Sequence, residues 1–342
     1  MKRIYLYPLT ARTEKAVINP YIGNLRDALN THFEVINAYK PSKTGIFDIL
    51  KYLHKVDVVY FNWSEEVPEL HRGRIQAVFL LLLLPYLRLS RILIIWTLHN
   101  KESHFNRYRW LKKRLYHQML KKSDLIITHA KEGLKLIPNG KKASFLPHPV
   151  RDSIIRNVKD KKCHFDLIIW GTIAPYKGIT EFLNFLEMEE IIGNYRILMA
   201  GKVTSQSLGN ELRAYESKYE NLVLMDGYVE EKRLIDLVHD SKIALFTYQS
   251  ESILSSGALM DSLSYGATIV GPAAGAFNDL NELGLIETYS DFQSLREVLN
   301  RLLASSGEDF SRHHRIREFM AANSWSEYSK MIQKLIEQLN TK

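Results

Sequence analysis

Residues 165–188 read FDLIIW, GTIAPYKG, ITEFLNFLEM, and this stretch decides the fold. Phe165 to Trp170 is a short, almost continuous apolar run, as expected of a strand buried on both faces. Gly171 to Gly178 holds two glycines and a proline and reads as a turn. A helix is expected from Ile179 to Met188. Strand, turn and helix in this order form the repeating unit of a parallel sheet covered by helices.

The same alternation extends in both directions. Downstream, strands are expected at Tyr195–Ala200, Leu222–Met225, Ile243–Thr247 and Ala267–Val270, with helices near Leu208–Tyr219, Glu231–Asp240, Ser256–Tyr265 and Asp291–Ala304. Arg312 to Leu339 reads as continuously helical. Upstream, strands are expected at Arg3–Tyr7, Phe33–Ala38, Val56–Asn62, Ile92–Leu98, Leu125–His129 and Ser144–Pro147. Amphipathic segments at Pro20–Asn30, Gly45–His54 and Arg107–Lys122 separate them. The pattern pauses over Pro149 to Lys162, a polar and irregular stretch suited to a linker. The expectation is an α/β protein with two doubly wound Rossmann-like domains: residues 1–150, a linker at 151–163, a second domain at 164–311, and C-terminal helices at 312–342.

A chain of 342 residues suits two domains. One cysteine, Cys163, excludes an internal disulfide framework and a thiolate zinc cluster, and fits a reducing cytoplasm. No secretory signal is read at the start, since the apolar stretch after Met1-Lys2-Arg3 ends at Pro8. The longest apolar run, Ala77 to Leu87 between Arg74 and Arg88, is too short to span a bilayer and reads as a buried helix, with a surface-anchoring helix as the alternative. Charge is uneven. Residues 1–160 carry 28 Lys and Arg against 13 Asp and Glu, and the remainder 18 against 25. The basic first half suits an anionic surface or ligand. On Arg107–Lys122, Trp110, Leu111, Leu115 and Met119 are expected to share an apolar side fringed by cations, which suits either an anionic membrane surface or a core-facing helix with a solvated basic face. No nucleic-acid-binding motif accompanies the charge.

In open parallel sheets, ligands gather beyond the carboxyl ends of the strands. After Trp170, Gly171 permits close backbone approach, and Lys177 precedes a helix N-terminus where phosphate is favoured. After Ile243–Thr247, the small residues Ser255, Ser256, Gly257 and Ala258 open a helix and offer their amides to a diphosphate. Asp261, one turn on, suits ribose hydroxyls. His99, after Ile92–Leu98, is a candidate hydrogen-bonding group or general base, with Asn100 beside it. Second-rank candidates are Trp63, Glu65, Glu66 and His129, each after a strand, and Tyr21, in the loop that opens the Pro20–Asn30 segment. No Asp-x-Asp motif or other metal site is evident.

Taken together, Gly171-Thr172, Lys177-Gly178 and Ser255-Ser256-Gly257-Ala258, with Asp261 five positions before Gly266, resemble a known pattern. Residues 165–330 resemble the donor-binding domain of GT-B glycosyltransferases, nearest in pattern to the family 4 group. Gly201-Lys202 resembles the turn after an earlier strand of that domain, and Gly227-Tyr228-Val229 the segment lining the nucleotide base. Ser324-Trp325 resembles the start of helices that return to the first domain. The resemblance implies a metal-independent glycosyltransferase. It would take a UDP- or GDP-type nucleotide sugar and a glycan or lipid-linked acceptor, and need no cofactor. Two positions depart from the pattern: Thr172 replaces an arginine, and Ile253 replaces the first of two glutamates, Glu251 being out of register. A nucleotide-sugar-binding protein without catalysis and a GT-B sugar-nucleotide epimerase are the competing readings. The implied location is cytoplasmic, peripheral on the inner face of the membrane, in polysaccharide or lipid-linked oligosaccharide assembly.

Overall fold

The computed structural model describes residues 1–9, 20–101, 107–151, 163–248, 254–305 and 310–340. Ile253, Glu251 and nearly all of the expected linker lie outside them. The chain divides into two compact units, Met1–Pro149 with Asn323–Lys342, and Val150–Ala322.

In chain order, the first unit begins with β1 (Arg3–Tyr7), α1 (Tyr21–Leu29), β2 (Glu34–Val35) and β3 (Val58–Asn62). It continues with α2 (Gly73–Leu89), β4 (Leu93–Leu98), α3 (Arg109–Lys122), β5 (Leu125–Thr128), α4 (Lys131–Leu134) and β6 (Ala143–Phe145). The second unit contains β7 (Phe165–Trp170), α5 (Ile179–Met188), β8 (Ile197–Gly201), α6 (Gln206–Lys218) and β9 (Leu222–Asp226). Then come α7 (Glu231–His239), β10 (Ser241–Leu245), α8 (Gly257–Ser264), β11 (Ile269–Pro272), α9 (Gly275–Glu282), β12 (Glu287–Tyr289), α10 (Phe292–Ala304) and α11 (Phe310–Ala322). The last helix, α12 (Trp325–Asn340), belongs to the first unit.

Each unit is built on one six-stranded sheet, and every pairing in both is parallel. The orders are β2-β1-β3-β4-β5-β6 and β12-β11-β10-β7-β8-β9. Parallel strands need crossover helices on their faces, which is why their residues are buried on both sides. In the first unit, Leu6, Tyr60, Ile95 and Ile127 pack with Tyr21 and Leu25 of α1 and with Tyr328, Ile332 and Ile336 of α12. Thr97 Oγ1 donates to the Tyr60 hydroxyl at 2.9 Å, and the Tyr60 and Tyr328 hydroxyls meet at 3.0 Å, so these three buried hydroxyls satisfy one another.

Three expectations need correction. The tail is two helices, because Ser324 stops α11 from running on; its side chain accepts from the Glu327 amide at 3.3 Å, as a cap does. The apolar run Ala77–Leu87 lies within α2, which buries only one face, through Ala77, Leu80, Leu84 and Leu87, and leaves Val78 and Leu82 exposed. Trp110 does not share a side with Leu115 and Met119. At about 100° per residue it falls nearly opposite Met119, so it is exposed while they are buried. The sequence also gave no notice of α9 or of the three-residue edge strand β12.

At the carboxyl ends of β7 and β8 the backbones close up. Gly171 has φ +92° and Gly201 φ +150°. A Cβ on Gly201 would stand 1.8 Å from the Gly171 carbonyl oxygen. Gly201→Ala is therefore expected to destabilise the protein by about 1–3 kcal/mol, the cost of a strained backbone position. A melting temperature equal to that of the parent in differential scanning calorimetry would contradict the close approach.

Candidate functional site

In the second unit the strand order reverses between β7 and β10, the place where open α/β sheets bind ligands. The two sequence motifs converge there. A Cβ built on Gly171 would find Lys177 Nζ at 3.2 Å and the Ala258 Cβ at 4.0 Å. Lys177 ends a 3-10 turn, Pro175–Lys177, and Gly178 at φ 64° swings the chain into α5. Its ammonium is buried, donates to the Trp170 carbonyl at 2.9 Å, and lies 5.3 Å from the centre of the Tyr248 ring. Thr247 Oγ1 donates to the Lys177 carbonyl at 2.6 Å, tying the end of β10 to this turn. Burial pushes the Lys177 pKa down to about 7.

Ser256 is the extended N-cap residue of α8, and its hydroxyl meets the Tyr248 hydroxyl at 3.2 Å rather than capping the helix. The Met260 amide bonds the Ser256 carbonyl at 3.3 Å. The amides of Gly257, Ala258 and Leu259 thus belong to the first turn, which has no intrahelical acceptors to offer. Ser255 Oγ is buried without a hydrogen-bond partner among the described residues. A buried ammonium and the first turn of α8 beside a bare glycine, with an unpartnered hydroxyl on the residue two before that helix, suit an anion with several oxygens.

Asp261 lies on α8 and is pushed up to about 6, chiefly by burial; Arg151 pulls it back and Glu231 adds to the rise. Arg151 Nε stands 3.5 Å from Asp261 Oδ1, and its guanidinium also pairs with Glu231. Arg151 fell in the stretch read as a linker, and no local spacing announces a pairing across 110 residues. Gly201 ends β8 and Gly227 follows β9, joined by a Gly227 amide to Gly201 carbonyl bond of 3.2 Å. Beside them Lys202 and Tyr228 are exposed and Val229 is half-buried; Thr172 is exposed at the end of β7.

In the first unit, ring side chains follow four successive strands, β3 to β6. Tyr21, the first residue of α1, sits among them. Its ring centre is 4.9 Å from His99, 5.6 Å from His129, 5.2 Å from His148, 5.5 Å from Trp63 and 5.3 Å from Trp325. Trp63 stacks on His99 at 4.1 Å. His129 Nδ1 faces the Leu146 carbonyl at 2.8 Å and therefore carries the proton. Its Nε2 accepts from the Tyr21 hydroxyl at 2.9 Å. His99 Nε2 faces Asn62 Oδ1 at 3.0 Å, which leaves Nδ1 as the acceptor of the neutral ring. His148 was missed by the sequence reading. The signal was present, because His99, His129 and His148 each stand directly beyond a strand or its short extension.

Glu65 and Glu66 are turned elsewhere. Both lie on the 3-10 segment Ser64–Glu69. Glu66 pairs with the buried Lys112 of α3 at 3.1 Å, as does Glu69 at 2.7 Å. Glu65 is buried, and its pKa is pushed up to about 7 by burial, with Glu66 adding to the rise while the Trp96 indole and Lys112 oppose it. Neither glutamate joins the histidine cluster. Asn100 is half-buried beside His99. Among the described residues, no group of three or more His, Cys, Asp or Glu is placed to hold a metal ion.

No protein-family model matches the chain, and no curated protein matches it in sequence. Solved structures do match. HepE from Anabaena in complex with UDP superposes with a TM-score of 0.69 at 11% identity, over 99% of this chain and 100% of that one. Sucrose-phosphate synthase from Thermosynechococcus elongatus gives 0.67 at 13% identity, over 100% of both chains. AviGT4, a glycosyltransferase involved in avilamycin A biosynthesis, gives 0.61 at 15% identity, over 100% of this chain and 98% of that one. The fold is GT-B. The parallel sheets expected from residues 165–188 outward are those of this architecture.

The histidines are held neutral. Burial lowers His99 well below the usual imidazole value, His129 to about 3 and His148 to about 4. An unfolded chain takes up these protons near pH 6.5, so their contribution to stability is lost as pH falls from 6.5 toward 4. Glu65 works against them, since its raised pKa lets the folded state gain a proton between pH 7 and 4.5. The three imidazole C2 proton resonances are expected to hold their neutral shift from pH 8 down to 5.5. Titration of any of them near 6.5 would contradict the cluster.

Proposed function

We propose that the protein transfers a sugar from a nucleoside-diphosphate donor to a hydroxyl of a glycan acceptor. The observation that carries this reading is the convergence of the Lys177 ammonium and the first turn of α8 on Gly171, at the point where the strand order reverses. Nucleoside diphosphate is the leaving group in such a transfer. A cation and helix amides fixed in place stabilise the charge that develops on it. Lys177 and the Ser255–Ala258 amides take the diphosphate, Asp261 the ribose, and Gly227, Tyr228 and Val229 the base. His99, in the first unit, stays neutral and accepts a hydrogen bond from a hydroxyl of the acceptor through Nδ1.

A UDP-type donor is supported by the relatives of this fold. HepE has been solved with UDP and with UDP-glucose, and the E. coli trehalose-6-phosphate enzyme with UDP-2-fluoro glucose. We read the chain as a divergent, metal-independent member of the family 4 group, with Thr172 where that pattern has an arginine. The basic first half supports an acceptor carried on a membrane lipid, and so a peripheral location on the cytoplasmic face in glycan assembly. No helix among the described residues is long and apolar enough to cross a membrane.

Lys177→Met is expected to lower sugar transfer by about 100-fold or more, the scale for removing one donor from a developing anion. Its urea midpoint should stay at or above that of the parent, because a buried charge is removed. Unchanged turnover would sink the assignment. Product analysis with donor alone separates transfer from epimerisation, which needs no acceptor.

The lysine also dictates a pH dependence. With a free-enzyme pKa of about 7, the amine is largely neutral above that value, while phosphate selects the ammonium. Affinity for UDP, measured by calorimetry, is therefore expected to fall as pH rises from 7 to 9, by up to about tenfold per unit. The slope should flatten in Lys177→Met. A pH-independent affinity in the parent would place the diphosphate away from Lys177.

A further inference from the structure

α2 and α3 form the outer layer over one face of the first sheet, and their solvent side is unlike the rest of the surface. Ile75, Val78, Leu82, Tyr86 and Leu89 are all exposed, Leu82 at 70% and Leu89 at 84%. Their spacing of three, four, four and three residues places them within one narrow arc of α2, roughly opposite the buried Ala77, Leu80, Leu84 and Leu87. At 1.5 Å per residue this apolar ridge runs for about 21 Å. The adjoining α3 carries one more large exposed apolar side chain, Trp110, at 76%. The two helix starts are joined where the Arg74 guanidinium lies over the Tyr108 ring at 5.9 Å.

The flanks are basic. Neither α2 nor α3 contains a single Asp or Glu. Lys113, Arg114 and Lys121 share the exposed arc of α3 with Trp110, and Arg72, Arg74 and Arg91 lie at the two ends of α2. A monomer in water gains nothing from such a ridge, and contiguous exposed apolar surface marks an interaction site.

We propose that the α2–α3 face docks onto the headgroup region of an anionic lipid bilayer. The ridge enters the acyl boundary, Trp110 sits at the headgroup level, and the arginines and lysines meet lipid phosphates. Charge decides against the alternatives. A second copy meeting the same face about a two-fold axis would bring like charges together. A nucleic-acid backbone would offer nothing to the apolar ridge. The docking surface does not depend on the glycosyl-transfer reading, because it is tested without donor or acceptor; loss of transfer with vesicle binding intact, or the reverse, tells the two apart.

The test is co-sedimentation of the full chain with vesicles of phosphatidylglycerol and phosphatidylcholine, and with phosphatidylcholine alone. Binding is expected only to the anionic vesicles, weakened as salt rises. Leu82→Asp and Trp110→Ala, both at exposed positions, should each reduce the bound fraction by about tenfold, the scale of one large apolar side chain withdrawn from lipid. Arg74→Glu should shift the salt dependence. Circular dichroism of each variant should match the parent. Equal binding to neutral vesicles, no binding at all, or retention by Leu82→Asp would overturn the proposal. So would a concentration-dependent dimer that Leu82→Asp abolishes, since the ridge would then be covered by a second copy.

Discussion

Parallel pairing is the constraint on which this molecule depends. When all strands of a sheet run the same way, every one ends on the same edge, and whatever residue follows it is delivered to that edge. Gly171, Gly201 and Gly227 reach one rim because they end or directly follow β7, β8 and β9. Asn62, His99, His129 and His148 gather on the other sheet's rim by the same rule. Residues far apart in the chain become neighbours without any motif linking them.

Much of this was legible in the sequence. Apolar runs bounded by turns mark buried strands, so β1, β4, β7 and β8 were visible, and with them the positions just beyond. The glycine turn, Lys177 and the small residues before α8 could be named because each is local chemistry at a strand end. What was hidden is what depends on tertiary pairing. Arg151 acquires its place only when Asp261 and Glu231 are brought to it. Glu65 looked like a candidate base because it follows a strand, but its 3-10 segment carries it toward Trp96 and α3. Trp110 looked like part of an apolar side until its angle about the helix axis was taken against Met119.

Desolvation is the common electrostatic theme. Lys177 is shifted down to about 7 and Asp261 up to about 6, so both stand near neutrality, where a bound partner of opposite charge changes their protonation. The histidine cluster goes further and is locked neutral, with each proton directed by a carbonyl or amide oxygen. Tyr21 is the keystone there, since its hydroxyl donates to the His129 nitrogen that the Leu146 carbonyl leaves unprotonated and its ring packs against all three imidazoles.

The membership of α12 in the first unit has a consequence for the order in which the molecule can be made. The second unit is one unbroken stretch, Val150–Ala322, complete while the ribosome is still at work. The first unit is not. Its sheet is synthesised early, yet Tyr328, Ile332 and Ile336 emerge roughly 180 residues after β6. At about 5–20 residues per second, the face they cover stays open for roughly 10–40 seconds of translation. Of the two units, the one whose sheet is made first is thus the one completed last.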